Sequence, residues 1–297
     1  MNFLRILLFV LTLNALPHII NEAPCYAAGP VDELINRAIR EQDDIYRSRG
    51  ELVPEGYVID RSLLSYTHTL SEAFDRALEA LDKDHRWLDI GAGEGQAILD
   101  YFGPRYDAMH PLPSKRSRHK ARAVALSIED RRTARWPATA SLLKTGQIQY
   151  LSGKRLREYP NGTLGRYNLI TDVVGAFSYT RDLTLYMQIA LNALEPDGNL
   201  FTLLTDARPS VAKRRPFFET DTYLTEIIRP DGRSENVCNW LRQISCIEVI
   251  CNEKSGWQPP VETFHLHKTC EITTVPPLTL TSFVAGTPPS RRFHSEP

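Results

Sequence analysis

The chain has 297 residues, 42% of them hydrophobic and 24% charged, with a formal net charge of −1 at pH 7. That composition excludes a disordered or collagen-like chain and accommodates one α/β domain with a helical appendage. The near-neutral balance supplies no global attraction to nucleic acid or to an anionic membrane. The N-terminus reads as a secretory signal peptide, residues 1–27: Arg5 precedes a mostly apolar run over 6–16, and small residues follow at Ala27 and Ala28. Cleavage after Ala27 implies an exported protein, periplasmic or secreted. The apolar run falls short of the roughly 20 residues of a membrane span, so no stable span is expected after cleavage. The rival readings are an uncleaved membrane anchor and a cytoplasmic chain.

Residues 28–85 read as an N-terminal helical extension. Leu34, Ile35, Ala38, Ile39 and Ile45 among charges make 31–49 an amphipathic helix. Leu70, Phe74, Leu78 and Leu81 form a second apolar face, with Thr69 and Glu72 in capping-box spacing at its start. Tyr57 and Tyr66 are placed to reach a site, although core packing is the ordinary fate of such residues.

The next segment carries the chemistry. Trp87, Leu88 and Ile90 suit a strand covered on both faces. Gly91, Gly93 and Gly95 then supply a turn without Cβ atoms to hold a ligand away from the backbone, just before a helix bearing Ile98, Leu99 and Phe102. The spacing is G-x-G-x-G. The dinucleotide fingerprint G-x-G-x-x-G would need its third glycine at position 96, which is Gln96. The run from Trp87 to Gln96, with Asp89 at the strand end, resembles motif I of the class I S-adenosylmethionine-dependent methyltransferases. The resemblance implies that S-adenosylmethionine is the cofactor. It also implies that Asp89 orients the amino-acid part of the cofactor, directly or through water, while Gly91, Ala92, Gly93, Glu94 and Gly95 wrap it.

Later segments keep the family's order. A second strand over 123–128 ends at Glu129 and Asp130. An acidic side chain after that strand accepts hydrogen bonds from ribose hydroxyls in doubly wound folds. Glu129 is assigned that role, although Ser127 stands where direct alignment to the family would put the acid. A third strand, 148–151, leads to Gly153 and Lys154, the loop that in this family meets the adenine; many members carry Gly-Asp there. A fourth strand begins at Tyr167 and runs to Asp172, followed by a segment ending at Tyr179 that faces cofactor and substrate. Asp172 and Tyr179 are the catalytic candidates, able to orient or deprotonate an acceptor hydroxyl or amine, with Asp172 also counted toward the cofactor.

A helix from Asp182 carries Leu185, Ile189, Leu191 and Leu194 and stops at Glu195-Pro-Asp-Gly198, a turn similar to the family's L-x-P-G-G. A fifth strand follows over 200–204. The charged, Pro-interrupted stretch 208–232 suits a substrate-side loop with a helix around 217–228. Residues 247–251 and 261–269 resemble the antiparallel sixth and seventh strands, and the prolines of 276–297 mark an irregular tail. The fold expected is α/β: a doubly wound, seven-stranded, mostly parallel sheet over 86–275, with helices on both faces and an antiparallel last strand.

Lys115, Arg116, Arg118, Lys120 and Arg122 cluster in a loop, the usual pattern of solvated surface. Four cysteines, Cys238, Cys246, Cys251 and Cys270, would remain after cleavage, an even set that fits disulfides in an oxidising compartment. Cys246 and Cys251 lie on opposite faces of a strand-like run and are not expected to pair with each other. A zinc site from these cysteines with His265 and His267 lacks close C-x-x-C pairs, so no metal is expected. The function implied by the resemblance is methyl transfer. No Asn-Pro-Pro-Tyr motif follows the fourth strand, so the acceptor expected is a small molecule rather than nucleic acid. The alternatives are an exported, non-catalytic binding module on the same fold and an aminopropyl transferase, whose acidic substrate motif is missing. The sequence carries no signal of oligomeric state.

Overall fold

The computed structural model describes residues 61–103, 120–180, 182–205, 226–228, 234–254, 261–278, 281–284 and 290–293. The signal-peptide reading, the helix over 31–49, Tyr57, and Lys115, Arg116 and Arg118 of the basic loop lie outside them. Lys120 and Arg122 are exposed.

Two helices open the described chain. In α1 (Leu63–Thr69), the Ser62 hydroxyl caps the first turn by accepting from the Ser65 amide at 3.2 Å. In α2 (Glu72–Glu79), Ser71 is the N-cap. The expected capping box from Thr69 does not form, because Thr69 is the last residue of α1 and the chain breaks at the extended Leu70. The predicted apolar face is intact: Leu70, Phe74, Leu78 and Leu81 are all buried.

The central sheet is built from β1 (Arg86–Ile90), β2 (Arg122–Leu126), β3 (Ile148–Leu151), β4 (Tyr167–Asp172), β5 (Leu194–Thr205), β8 (Ile247–Lys254) and β9 (Val261–Lys268), in the order β3-β2-β1-β4-β5-β9-β8. The first five pair in parallel, whereas β9 runs antiparallel to both its neighbours. Alternation along the strands sends side chains to two layers. Leu88, Ile90, Ile170, Leu200 and Leu266 join one apolar cluster with residues of α6 (Leu183–Asn192) and α7 (Val237–Leu241). On the opposite layer, Trp87 packs edge-on against Tyr101 of α3 (Gln96–Phe102) at 5.7 Å, and Phe201 against Phe74 of α2 at 5.5 Å. The sheet is therefore covered on both faces, as a doubly wound fold requires.

The Glu195–Gly198 turn is absorbed into β5 as a bulge, with the pairing slipping between Tyr167↔Leu194 and Leu169↔Asn199 and Asp197 at φ 62°. Beside it Lys268, 1% exposed, donates from Nζ to the carbonyls of Leu191 at 2.9 Å and Leu194 at 2.7 Å, the last turn of α6 and the first residue of β5.

The C-terminal third differs from the sequence expectation in two places. Residues 226–228, expected as the end of a helix, form a strand β6 (Glu226–Ile228) paired antiparallel with β7 (Ser234–Asn236). The tail, expected to be irregular, contains a two-stranded ladder of β10 (Thr281–Val284) and β11 (Ser290–Phe293). Ladders of three or four residues are too short to leave a readable alternation. Cys238 of α7 is bonded to Cys251 of β8, and Cys246 to Cys270, with Cα atoms 6.2 and 5.4 Å apart. Cys246 and Cys251 do not pair; Cys246 precedes β8 at φ 59°. Among the described residues no helix is long and apolar enough to cross a membrane.

Candidate functional site

The glycine turn is fixed by what surrounds it. Gly91 and Ala92 donate their amides to the Leu126 carbonyl at 2.8 and 3.0 Å, folding the turn over the end of β2. Gly91 (φ 73°) is so close to the loop after β4 that an added Cβ would lie 2.5 Å from the Gly175 Cα. A Cβ on Gly175 would lie 2.4 Å from the Ile90 carbonyl oxygen. Two backbones touch here, and neither position tolerates a side chain. Gly95 (φ 79°) caps α3 against the ring of Trp136, which belongs to α4 (Arg135–Ser141).

Tyr150 of β3 ties three segments together. Its hydroxyl lies against the carbonyls of Gly93 and Glu129, the latter at 3.2 Å, and accepts from the Arg131 amide at 3.3 Å, while its ring packs edge-on against Trp136 at 5.2 Å. Sequence reasoning missed Tyr150, Trp136 and Gly175. The first two carry no motif, and the contact made by Gly175 is long-range.

Two carboxylates lie buried beneath the turn. Asp89 accepts from the Tyr66 hydroxyl at 3.0 and 3.1 Å and from Thr171 Oγ1 at 2.7 Å; Thr171 in turn accepts from the Trp87 indole at 2.8 Å. Burial raises the Asp89 carboxyl to about 7 against these stabilising hydrogen bonds. Asp172 accepts from the amides of Gly175 at 2.9 Å and Phe177 at 3.0 Å, and burial likewise raises it to about 7. The Tyr186 hydroxyl sits beside Asp172 and is held well above its usual range by burial, yet it makes no hydrogen bond of normal geometry. Both Asp172 oxygens therefore shape the loop that follows β4. Within that loop Val174 is held at φ 56°, a conformation a β-branched residue rarely adopts. Tyr179 is the last residue of α5 (Ala176–Tyr179), and its side chain lies outside the described residues.

A cavity of about 650 Å³ opens at the C-terminal ends of β1, β2 and β4. Gly91 and Gly93 line it from the turn, and Ser127, Ile128 and Glu129 from the loop after β2. Leu156 of the 3₁₀ turn Leu156–Glu158 and Leu185 and Ile189 of α6 form the apolar wall. Glu129 is exposed to this space, and Ile128 keeps 60% of its surface free. Of the other predicted residues, Asp89 and Asp172 stand behind the lining, Ala92 and Gly95 are buried, and Glu94 is half-buried. Gly153 donates to the Ile128 carbonyl at 2.9 Å, and the exposed Lys154 places its ammonium 5.8 Å over the Tyr159 ring; neither lines the cavity. His265 is stacked on Phe201 at 4.3 Å, with Nε2 2.8 Å from Asn199 Oδ1, and burial pulls its imidazole down to about 4.

No protein-family model matches the sequence, and no curated protein does. Similar solved structures include a 1,6-didemethyltoxoflavin-N1-methyltransferase from Burkholderia thailandensis, at TM-score 0.44 and 13% identity over 84% of this chain and 93% of that one. An rRNA methylase from Streptococcus thermophilus gives TM-score 0.42 and 12% identity over 67% of this chain and 95% of that one. A possible exported protein from Bordetella parapertussis gives TM-score 0.42 and 15% identity over 70% of this chain and 68% of that one. What decides the matter is the chain's own geometry. A five-stranded parallel run, an antiparallel β9 inserted between β5 and β8, and a glycine turn at the end of β1 together make this the doubly wound α/β fold that the sequence predicts from its resemblance to the class I S-adenosylmethionine-dependent methyltransferases.

Proposed function

We propose that the protein binds S-adenosylmethionine at the glycine turn and transfers its methyl group to a small-molecule acceptor. The observation that carries this reading is the meeting of Gly91, Gly93 and Glu129 around one cavity at the C-terminal ends of the parallel strands, the place where open α/β sheets take their ligands. Its volume of about 650 Å³ suits a nucleoside cofactor with an acceptor beside it. The residues fit the cofactor: glycine backbone for close approach, a solvent-facing carboxylate for the ribose and an exposed isoleucine for a flat apolar ring.

The chemistry supplied by bound S-adenosylmethionine is an activated methyl group, whose C–S bond breaks with the electron pair kept on sulfur as the acceptor heteroatom bonds to carbon and releases its proton. The chain's own contribution is positioning and exclusion of water. Glu129 holds the ribose, and Tyr66 and Thr171 hold Asp89 beneath the turn. Asp172 orders the loop after β4, and Tyr179 is assigned to the acceptor side. Calorimetric titration with S-adenosylmethionine and S-adenosylhomocysteine tests the reading. Saturable binding is expected, and Glu129→Ala should weaken it at least about tenfold, since each lost bond to a charged acceptor costs about 1.5–3 kcal/mol. No heat at millimolar ligand removes the cofactor from this site.

The two disulfides favour a second reading of the compartment: an exported protein beginning at Ala28, in which the fold serves as a binding module where S-adenosylmethionine is scarce. Intact-mass analysis of protein from its native compartment, alkylated without reduction, separates the two. Four free thiols on a chain that retains Met1 would return it to the cytoplasm.

A further inference from the structure

The cavity wall carries guanidinium groups that the cofactor does not answer. Among the described residues, Arg61, Arg131, Arg155 and Arg157 line it, against the carboxylates of Glu129 and Asp182. The Asp182 carboxylate is already engaged, accepting from the Leu185 amide at 2.9 Å as the cap of α6. Glu129 is the residue given to the ribose. Arg155 and Arg157 flank the buried Leu156, so the 3₁₀ turn that anchors Leu156 in the core presents both neighbours at the cavity. Neither guanidinium has an ion pair among the described residues. Arg131 is half-buried on the loop that Tyr150 holds, and burial lowers its affinity for the proton. Arg61 reaches the other side, donating to the Val173 carbonyl at 3.5 Å beside the loop after β4.

S-adenosylmethionine is itself a net cation, with a sulfonium, an ammonium and one carboxylate. The guanidinium groups of Arg155 and Arg157 facing that cation oppose it unless a second ligand brings negative charge. Guanidinium forks match carboxylate and phosphate oxygens in paired hydrogen bonds, and a recessed cleft of one sign concentrates ligands of the other. We infer that the acceptor carries an oxyanion group, a carboxylate or a phosphate, gripped by Arg155 and Arg157 at the cavity wall beyond the third strand. This rests on the methyl-transfer reading, because it assigns the anion to the acceptor and not to the cofactor.

The experiment is calorimetric titration of the full chain, saturated with S-adenosylhomocysteine, with inorganic pyrophosphate and separately with citrate, at low and at high salt. Binding of at least one anion is expected, weakened by salt, and the tighter of the two distinguishes a phosphate-bearing from a carboxylate-bearing acceptor. The double variant Arg155→Ala/Arg157→Ala should weaken anion binding at least tenfold and leave S-adenosylhomocysteine affinity within twofold. Lys144→Ala, an exposed cation away from the cavity, should change neither. Absence of anion binding to the wild type, or equal binding by the double variant, overturns the inference. Loss of S-adenosylhomocysteine affinity in the double variant overturns it as well, by moving these arginines to the cofactor. If the wild type takes the anions but never S-adenosylhomocysteine, the cofactor reading fails, and the assignment of the anion to a methyl acceptor falls with it. Circular dichroism of the double variant should match the wild type, since Leu156 and the Arg155 amide bond to Glu158 are retained.

Discussion

The parallel centre of the sheet and its antiparallel flank are held by different means. Around β1, β2 and β4 the chain relies on backbone touching backbone at Gly91 and Gly175 and on buried carboxylates satisfied by Tyr66, Thr171 and loop amides. Around β8 and β9 it relies on covalent links, Cys238–Cys251 and Cys246–Cys270, over an apolar layer. The first arrangement is intolerant of shape change, whereas the second tolerates it and is sensitive to reductant. The cavity opens beside the first arrangement, where tenths of an ångström decide whether the loop after β4 fits against the glycine turn.

The largest expected effect attacks the parallel centre alone. Gly175→Val would drive a side chain into the Ile90 carbonyl and the Asp172 carboxylate, where overpacking costs about 1–3 kcal/mol or more. S-adenosylhomocysteine binding should be lost in calorimetry while both disulfides still form. Persistence of normal affinity would show that the contact with Gly91 does not shape the site.

Reduction attacks the antiparallel flank alone. Opening bonds that close loops of 13 and 24 residues should cost about 2–4 kcal/mol each. Thermal unfolding followed with and without a phosphine reductant should show a lowered midpoint, with cofactor affinity retained well below it. Loss of that affinity on reduction would mean that the two regions are coupled.

The pH response divides the two regions by sign. Asp89 and Asp172 are raised to about 7 in the folded chain, above their unfolded values. Their stabilisation is therefore full below about pH 4 and lost as pH rises through 7, by at most about 4 kcal/mol per group. His265, lowered to about 4, acts in the opposite sense and loses stability as pH falls from about 6.5 toward 4. Urea unfolding across this range should show Asp89→Asn gaining on the wild type as pH rises. A constant difference between the two proteins would show that Asp89 is not a buried, proton-binding carboxyl.

The smallest effect tests the tether between strands. Tyr150→Phe removes the hydroxyl shared by Gly93, Glu129 and Arg131, worth about 1 kcal/mol. A several-fold weaker S-adenosylhomocysteine affinity is expected by calorimetry, with little change in unfolding midpoint.

These contrasts also explain what could be read from the sequence. The strands around Trp87, Val124, Ile170 and Leu200 were legible because buried strands write continuous apolar runs, and the glycine turn because its spacing is local. The second strand ends at Leu126, two residues short of expectation, since Ile128 turns out to the cavity. Tyr66 meeting Asp89, Trp136 filling the space over Gly95 and the arginines facing one cavity join positions far apart in the chain. Periodicity reports which face a residue takes, not whom it meets there. The cysteines were legible as an even set, and one pairing could be excluded, but the choice of partners depended on where α7 lands on β8.

Lys268 joins the parallel and antiparallel parts of the sheet, its ammonium buried against the carbonyls that end α6 and begin β5. Burial lowers its proton affinity, which favours the nucleophilic amine, yet no reagent can approach it in the closed chain. An amine-acylating reagent should therefore modify surface lysines such as Lys83 at once and Lys268 only during opening of the seam. The rate at which peptide mapping finds Lys268 acylated becomes a count of opening events between the parallel and antiparallel parts of the sheet.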